Sequence, residues 1–76
     1  MRIGQIWRAS DVPDGRFVLI CGINDKAGKE VVHEYVPTRR DKITVMACTI
    51  TGEPVERKFV CVNPSCFDGV LYALVR

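Results

Sequence analysis

The sequence contains no long apolar run, and it has little net charge and a single histidine. A membrane-spanning helix needs about 18 to 20 consecutive apolar residues, and no run in this chain is that long. Gln5, Arg8 and Asp11 also stand where a secretory signal would need an apolar stretch. We therefore expect no membrane partner and a cytoplasmic protein, whose four cysteines stay reduced.

The charges are nearly balanced, with 11 Lys and Arg against 9 Asp and Glu and a formal net charge of +2. A protein that binds nucleic acid through a broad basic surface usually carries a larger excess of positive charge. This balance allows a nucleic-acid partner without requiring one. The chain has 76 residues, 47% hydrophobic and 26% charged, which is a globular composition. We predict a single domain over residues 1–76 with a thin core.

No motif typical of an enzyme is found in the sequence. The stretch CGINDKAGK ends in Gly-Lys but lacks the spacing and the following Ser or Thr of a phosphate-binding loop. His33 is the only histidine, and no Cys or Ser is singled out as the nucleophile it would activate. Glu30 and Glu34 lie close to predicted turns, which is typical of solvated carboxylates. We expect a protein that is not an enzyme and has no cofactor.

Short runs of β-branched and aromatic residues, separated by turn residues, predict an all-β fold. The predicted strands cover residues 3–8, 16–23, 30–36, 43–50, 55–62 and 70–75. Pro13-Asp14-Gly15 predicts a turn, and NPSCFDG is long enough for one turn of 3-10 helix. A C-terminal helix capped by Ser65 is the alternative for the last stretch, which Gly69 disfavours. Because closure removes exposed sheet edges, we expect a small five- to six-stranded antiparallel barrel.

The two ends of the chain carry a resemblance to a known group of proteins. The opening GQIW at residues 4–7, the Gly-bearing turn, the apolar second strand and the closing YALVR resemble small bacterial and phage proteins predicted to form SH3-like barrels. The resemblance implies an SH3-like fold and brings no catalytic residue. Toxin ribonucleases of the MazF type have a similar opening, but the likeness is confined to the first strand. The chain is short for that fold, so we do not expect a ribonuclease.

The stretch FVCVNPSCF places Cys61 and Cys66 around an Asn-Pro-Ser turn. Zinc takes four tetrahedral ligands, usually as two pairs, so a zinc site would combine this pair with Cys21, Cys48 or His33. Cys21 and Cys48 lie in the middle of predicted strands among apolar residues, which is typical of small core side chains. We therefore predict reduced thiols and no metal, with zinc as the alternative.

Basic and aromatic residues supply candidates for a binding surface. The densest charge is PTRRDK, and two further cations follow one hairpin later. Trp7 and Tyr35 could stack on a base, or they could simply pack in the core. Interleaved acidic residues favour a solvated surface as the alternative to a phosphate-binding edge. The partner-binding candidates are Trp7, Arg8, Arg16, Tyr35, Arg39, Arg40, Lys42, Arg57 and Lys58.

These features support two hypotheses about function. In the first, the protein is a small interaction module, an inhibitor or accessory protein of phage or mobile-element type. It would bind a protein partner through a barrel groove or a strand edge. In the second, it is a nucleic-acid-binding barrel whose basic edge consists of Arg39, Arg40, Lys42, Arg57 and Lys58. The near-neutral charge favours the first. Self-association into a homodimer, which would cover an open edge, is a third hypothesis.

Overall fold

The computed structural model describes residues 1–10 and 16–76. Five strands form one antiparallel sheet: β1 (Ile6–Ala9), β2 (Phe17–Asn24), β3 (Lys42–Cys48), β4 (Pro54–Val62) and β5 (Tyr72–Leu74). Their order across the sheet is β4-β3-β2-β1-β5. This arrangement confirms the all-β fold. The predicted turn at Pro13-Asp14-Gly15 lies outside the described residues.

The sheet is open, because no ladder in the described part of the chain joins β4 to β5. It has one face that carries the core, which we call the inner face. Side chains alternate between the faces along each strand, and on the inner face Ile20 pairs with Val45, and Val45 with Val60. The neighbouring pair Ile23 and Ile43 is fully buried. The inner face therefore holds the hydrophobic core.

The other face of the sheet, the outer face, is covered at one end only. Its central row runs from Leu19 through Met46 to Phe59. Near this row the tip of the β3–β4 hairpin approaches β1, where a Cβ added at Gly52 would lie 3.3 Å from Ile6 Cδ1. Ile6 is buried beneath this tip, whereas Phe59, at the edge of the sheet, is exposed.

Two bulges interrupt the regular pairing. In β2 the register shifts between Ile20 and Gly22, which leaves the intervening cysteine without a partner. In β4 the four residues 55–58 stand opposite a single residue of β3, Ala47, because Met46 pairs with Phe59 while Cys48 pairs with Pro54. Bulges of this kind bend a strand and disrupt its ladder. The regular part of β4 is therefore its second half.

The predicted strand over residues 30–36 is wrong. Its only ladder contact is an isolated bridge between Asn24 and Glu30. The segment instead crosses the core, where Val31 is buried and donates its N–H to the Ile23 carbonyl at 2.8 Å. Tyr35 packs against the same cluster. A run of β-formers does not by itself choose a pairing partner, because tertiary contacts set the register.

The C-terminal part of the chain forms a 3-10 turn and a strand. The turn spans Pro64–Cys66, and the Asn63 side chain accepts the Ser65 N–H at 2.9 Å as its N-cap. Strand β5 follows, which settles the choice between strand and helix in favour of strand. Within the described ranges there is no helix with the length and apolar character that crossing a membrane requires.

Candidate functional site

Strand β4 lies at an edge of the sheet and is exposed along almost its whole length. Eight of its nine residues are exposed, and the last, Val62, is half-buried. Three of the exposed residues are large and hydrophobic: Val55, Phe59 and Val60. No hydrogen bond from another described segment reaches the backbone of residues 54–62 outside the β3 ladder. This edge is therefore a candidate binding surface.

Backbone hydrogen bonds within the sheet show which groups of β4 point outward. Ile20 donates its N–H to the Gln5 carbonyl at 2.9 Å, so its backbone faces the β1 side. The N–H and C=O of successive strand residues point to alternate sides, and Leu19 therefore faces β3. Leu19 pairs with Met46, whose backbone must then face β2.

The same alternation continues into β4. Val45 is the neighbour of Met46, so its N–H and C=O point to the other side, toward β4, where Val45 pairs with Val60. Val60 therefore faces β3, and its neighbours Phe59 and Cys61 direct their N–H and C=O groups away from the sheet. These four groups form a short, regular stretch of open strand edge, of the kind that templates pairing with another chain.

The opposite edge, β5, is short and partly covered by its own chain. This strand has only three residues, and its Ala73 pairs with Arg8 of β1. On the outer side of β5 the Tyr72 carbonyl accepts the Gly69 N–H at 2.9 Å, and the backbone of Leu74 points to the same side. Very short edges that are covered by a loop resist pairing with other chains. Of the two sheet edges, β4 is thus the longer and more open one.

A cavity of about 200 Å³ opens on the inner face between the two edge strands. Residues of all five strands line it, including Ala9, Val18, Val45, Ala47, Val60 and Tyr72. The floor is apolar, whereas the rim carries Arg16, Glu56 and Lys58. The cavity marks the place where a closed barrel would continue from β4 to β5.

Burial falls abruptly along the inner-face row that ends at this cavity. Ile20 is 1% exposed and Val45 is 3% exposed, but Val60, the next member of the row, is 49% exposed. All three side chains are aliphatic and point to the same face. The row is hydrophobic up to the edge of the sheet. Among the described residues, no further strand continues the row beyond Val60.

The structure divides the predicted basic edge into two parts. Arg39, Arg40 and Lys42 are exposed at the start of β3, near Val62 in the register. Lys58 lies four residues before Val62, about 13 Å along an extended strand. The two strands do pair, but their antiparallel register separates the two clusters.

The remaining predicted cations lie on other parts of the surface. Arg57 is exposed on β4 beside Lys58, and neither takes part in an ion pair among the described residues, where the single ion pair joins the Met1 amino group to Glu34 at 3.2 Å. Arg8 is exposed on β1, and Arg16 lies at the rim of the inner-face cavity.

A second cavity, of about 210 Å³, brings Trp7 and Tyr35 together. Met1, Val36, Pro37, Pro64 and Phe67 complete its lining. The Phe67 ring is the centre of an aromatic cluster, since it meets Trp7 and Tyr72 edge to face with centroid distances of 5.1 Å in both pairs. Trp7 also donates from Nε1 to Gln5 Oε1 at 3.4 Å.

Asp41 holds the loop that carries the first basic cluster. Its Oδ2 atom accepts the Thr38 N–H at 2.6 Å and the Tyr35 hydroxyl at 3.0 Å. The Thr38 N–H is the main reason that the pKa of Asp41 is lowered, and the bond to Asp41 raises the pKa of Tyr35. The carboxylate is buried, while Arg39 and Arg40 on the same loop are exposed. Asp41 therefore points inward, although the sequence suggested that it interrupts the basic surface.

The residues of the alternative zinc site do not form one cluster within the described ranges. Cys61 is exposed on β4, Cys66 is half-buried in the 3-10 turn, and Cys48 is buried in β3. Burial raises the pKa of both Cys48 and the half-buried Cys21. All four thiols are free, and His33 is exposed. Across residues 1–10 and 16–76, no three His, Cys, Asp or Glu residues come close enough together to hold a metal ion.

Sequence reasoning named Trp7, Tyr35, Arg16 and Lys58 as candidates but missed the other residues that line the two cavities. Phe67 was not a candidate, because an aromatic residue after a turn carries no signal of its partners. The outward backbone of Phe59 and Cys61 was not visible either, since it depends on which side of β4 pairs with β3.

No protein-family model, no curated protein and no solved structure matches this chain. The candidate surfaces are therefore defined by their own geometry.

Proposed function

We propose that this protein is a non-enzymatic interaction module that binds an extended segment of a protein partner along the outer edge of β4. The observation that carries the proposal is the open backbone of Phe59 and Cys61, next to exposed apolar side chains. In strand addition, main-chain hydrogen bonds supply affinity, and side-chain pockets on alternate residues supply specificity. An inhibitory or accessory role of phage type is the setting we propose, supported by the resemblance of the chain ends.

The experiment removes one outward donor from the edge. Cys61→Pro deletes the N–H that points away from β3, and proline is tolerated in edge strands where the N–H faces solvent. Cys61→Val is the matched control, because it keeps the N–H and has a β-branched side chain suited to a strand. Peptides are first selected on the wild-type protein from a random dodecapeptide display library, and their affinities for the three proteins are then measured by calorimetry.

We expect the selected peptides to bind wild type and Cys61→Val with similar affinity and to bind Cys61→Pro at least tenfold more weakly. Equal binding to all three proteins would place the peptides elsewhere and contradict the proposal. Sedimentation analysis of the same proteins tests the hypothesis that the chain forms a homodimer through this edge. A dimer that Cys61→Pro dissociates would mean that the edge is occupied by a second copy of this chain.

A second candidate function is nucleic-acid binding at the aromatic cavity. What favours it is that Trp7 and Tyr35 line one cavity, and that the loop after Pro37 exposes Arg39 and Arg40 while Asp41 points inward. Bases stack on aromatic rings, and phosphates release counterions when cations bind them. Binding of a single-stranded oligonucleotide, followed by Trp7 fluorescence, should then weaken steeply with salt. Salt-independent binding, or none, would contradict this candidate.

A further inference from the structure

The cavity between β4 and β5 defines which segment the β4 edge would accept, and this inference rests on the proposed function. We infer that the partner segment is an extended strand with a bulky apolar side chain, phenylalanine or leucine in size, that enters this cavity beside Val60. The same segment carries carboxylates on its alternate residues. It would extend the open sheet beyond β4 toward the position that a sixth barrel strand would occupy.

The direction of the side chain follows from the sheet geometry. Residues that stand opposite each other in neighbouring strands point to the same face. Val60 points to the inner face, as its partners Val45 and Ile20 do. A partner residue opposite Val60 therefore also points to the inner face, over the cavity that Val60 and Tyr72 line.

The size of the side chain follows from the volume of the cavity. An apolar protein cavity of about 150 Å³ is large enough to bind benzene, and this cavity measures about 200 Å³. Its floor consists of Val18, Val45 and Ala47. A phenyl or isobutyl group would bury apolar surface there, and it would cover Val60, the exposed end of an otherwise buried row.

The charge of the segment follows from the edge itself. Arg57 and Lys58 are exposed and have no ion pair within the described residues, and Glu56 is the one acidic residue beside them. Lys58 lines the inner-face cavity, as Val60 does, and alternation along β4 places Arg57 on the outer face with Phe59. Carboxylates on the residues of the added strand that point to the outer face would pair with Arg57, whereas lysines there would meet like charge. Strand β5 offers the segment less backbone, because it has only three residues and its Tyr72 carbonyl already accepts the Gly69 N–H.

The test uses capped synthetic heptapeptides and the isotope-labelled protein of residues 1–76. The first peptide, EVEFEVE, alternates carboxylates with apolar residues and has a central phenylalanine. EVEAEVE removes the central ring, EEVFVEE keeps the composition but loses the alternation, and KVKFKVK reverses the charge. Affinities are measured by titration, and amide shifts locate the peptide on β4 (Phe59 and Cys61) and at the cavity (Tyr72).

We expect EVEFEVE to bind and to shift the amides of Phe59, Cys61 and Tyr72. Loss of the ring in EVEAEVE should weaken binding about 10- to 100-fold, the effect of leaving one large apolar side chain unburied. The peptides with altered order or charge should bind more weakly than EVEFEVE. In Ala47→Leu, which fills the cavity, EVEFEVE and EVEAEVE should bind alike; the EVEAEVE comparison on wild type stands even if this variant does not fold.

The other outcomes separate the inference from the proposed function. Equal binding of EVEFEVE and EVEAEVE, with shifts confined to Phe59 and Cys61, would overturn the inference and leave edge binding intact. Failure of EVEFEVE to bind, while display-selected peptides bind in a way that Cys61→Pro abolishes, would also overturn only the inference. Failure of every peptide to shift the β4 amides would overturn both.

Discussion

Val60 of β4 and Tyr72 of β5 line the same cavity from the two edge strands of the sheet, although no ladder among the described residues joins those strands. A closed barrel would place a strand ladder between these edges. Strand β5 is short and its outer side is partly occupied by its own turn, whereas β4 is longer and open, so the two edges offer a partner strand different amounts of backbone. The binding hypothesis and the predictions below follow from this asymmetry and from the contacts that support it.

Acid should destabilise the protein in part through Asp41. The Thr38 N–H and the Tyr35 hydroxyl stabilise its carboxylate, so its pKa is lower in the folded state than in the unfolded chain. The unfolded chain therefore takes up a proton first, and the free energy of unfolding should decrease as the pH falls from about 5 through the lowered pKa. Above that range this contribution should be fully present.

Urea unfolding at several pH values tests this prediction. Asp41→Asn should be less stable than wild type near neutral pH, and its stability should depend less on pH between about 5 and 2. Asp68 also has a lowered pKa, because it accepts the N–H groups of Val70 and Leu71. Asp68→Asn should remove a separate share of the acid dependence. Parallel pH profiles for wild type and Asp41→Asn would contradict the assignment.

Alanine at Gly52 should destabilise the protein more than alanine at Gly28. Both glycines have a positive φ, +90° and +83°, in which a Cβ is strained at a cost of about 1–2 kcal/mol. At Gly52 the new Cβ would also lie 3.3 Å from Ile6 Cδ1, whereas at Gly28 it would meet nothing within 4 Å. Thermal unfolding of the two variants measures the difference. A larger loss at Gly28 would show that the hairpin tip does not pack on Ile6.

The aromatic cluster should contribute measurably to stability. Phe67→Leu removes two edge-to-face ring contacts, with Trp7 and Tyr72, each worth about 0.5–1.5 kcal/mol. We expect the free energy of unfolding to fall by about 1–3 kcal/mol in urea titrations followed by circular dichroism. Phe59→Leu makes the same chemical change at an exposed position and should alter stability by about 0.5 kcal/mol or less. Equal decreases in the free energy of unfolding for the two variants would mean that the ring contacts of Phe67 do not stabilise the fold.

The four thiols should react at different rates in the native protein. Cys61 is exposed, so it should be alkylated first by iodoacetamide at pH 8. Cys48 is buried, and burial raises its pKa and that of Cys21, so these two should react last. Peptide mapping by mass spectrometry gives the order, and the differences should vanish in urea. Native Cys48 reacting as fast as Cys61 would contradict the burial of the thiol in β3.

The sequence by itself determined the fold class and most of the strands. Runs of β-branched residues located β2, β3 and β4 to within two residues, because local alternation and turn residues act over short distances. The same signals predicted the 3-10 turn after Asn63. They failed over residues 30–36, where an equally good strand pattern crosses the core instead of pairing.

The binding surfaces were decided by the tertiary structure. Which edge is more open depends on the strand order, on the length of β5 and on the hydrogen bond from the Gly69 N–H to the Tyr72 carbonyl. The separation of Lys42 from Lys58 depends on the antiparallel register, and the contact between Trp7 and Phe67 depends on where the 3-10 turn between β4 and β5 places the Phe67 ring. These relationships join residues far apart in the chain, and no local propensity specifies them, because pairing and packing among distant segments set them.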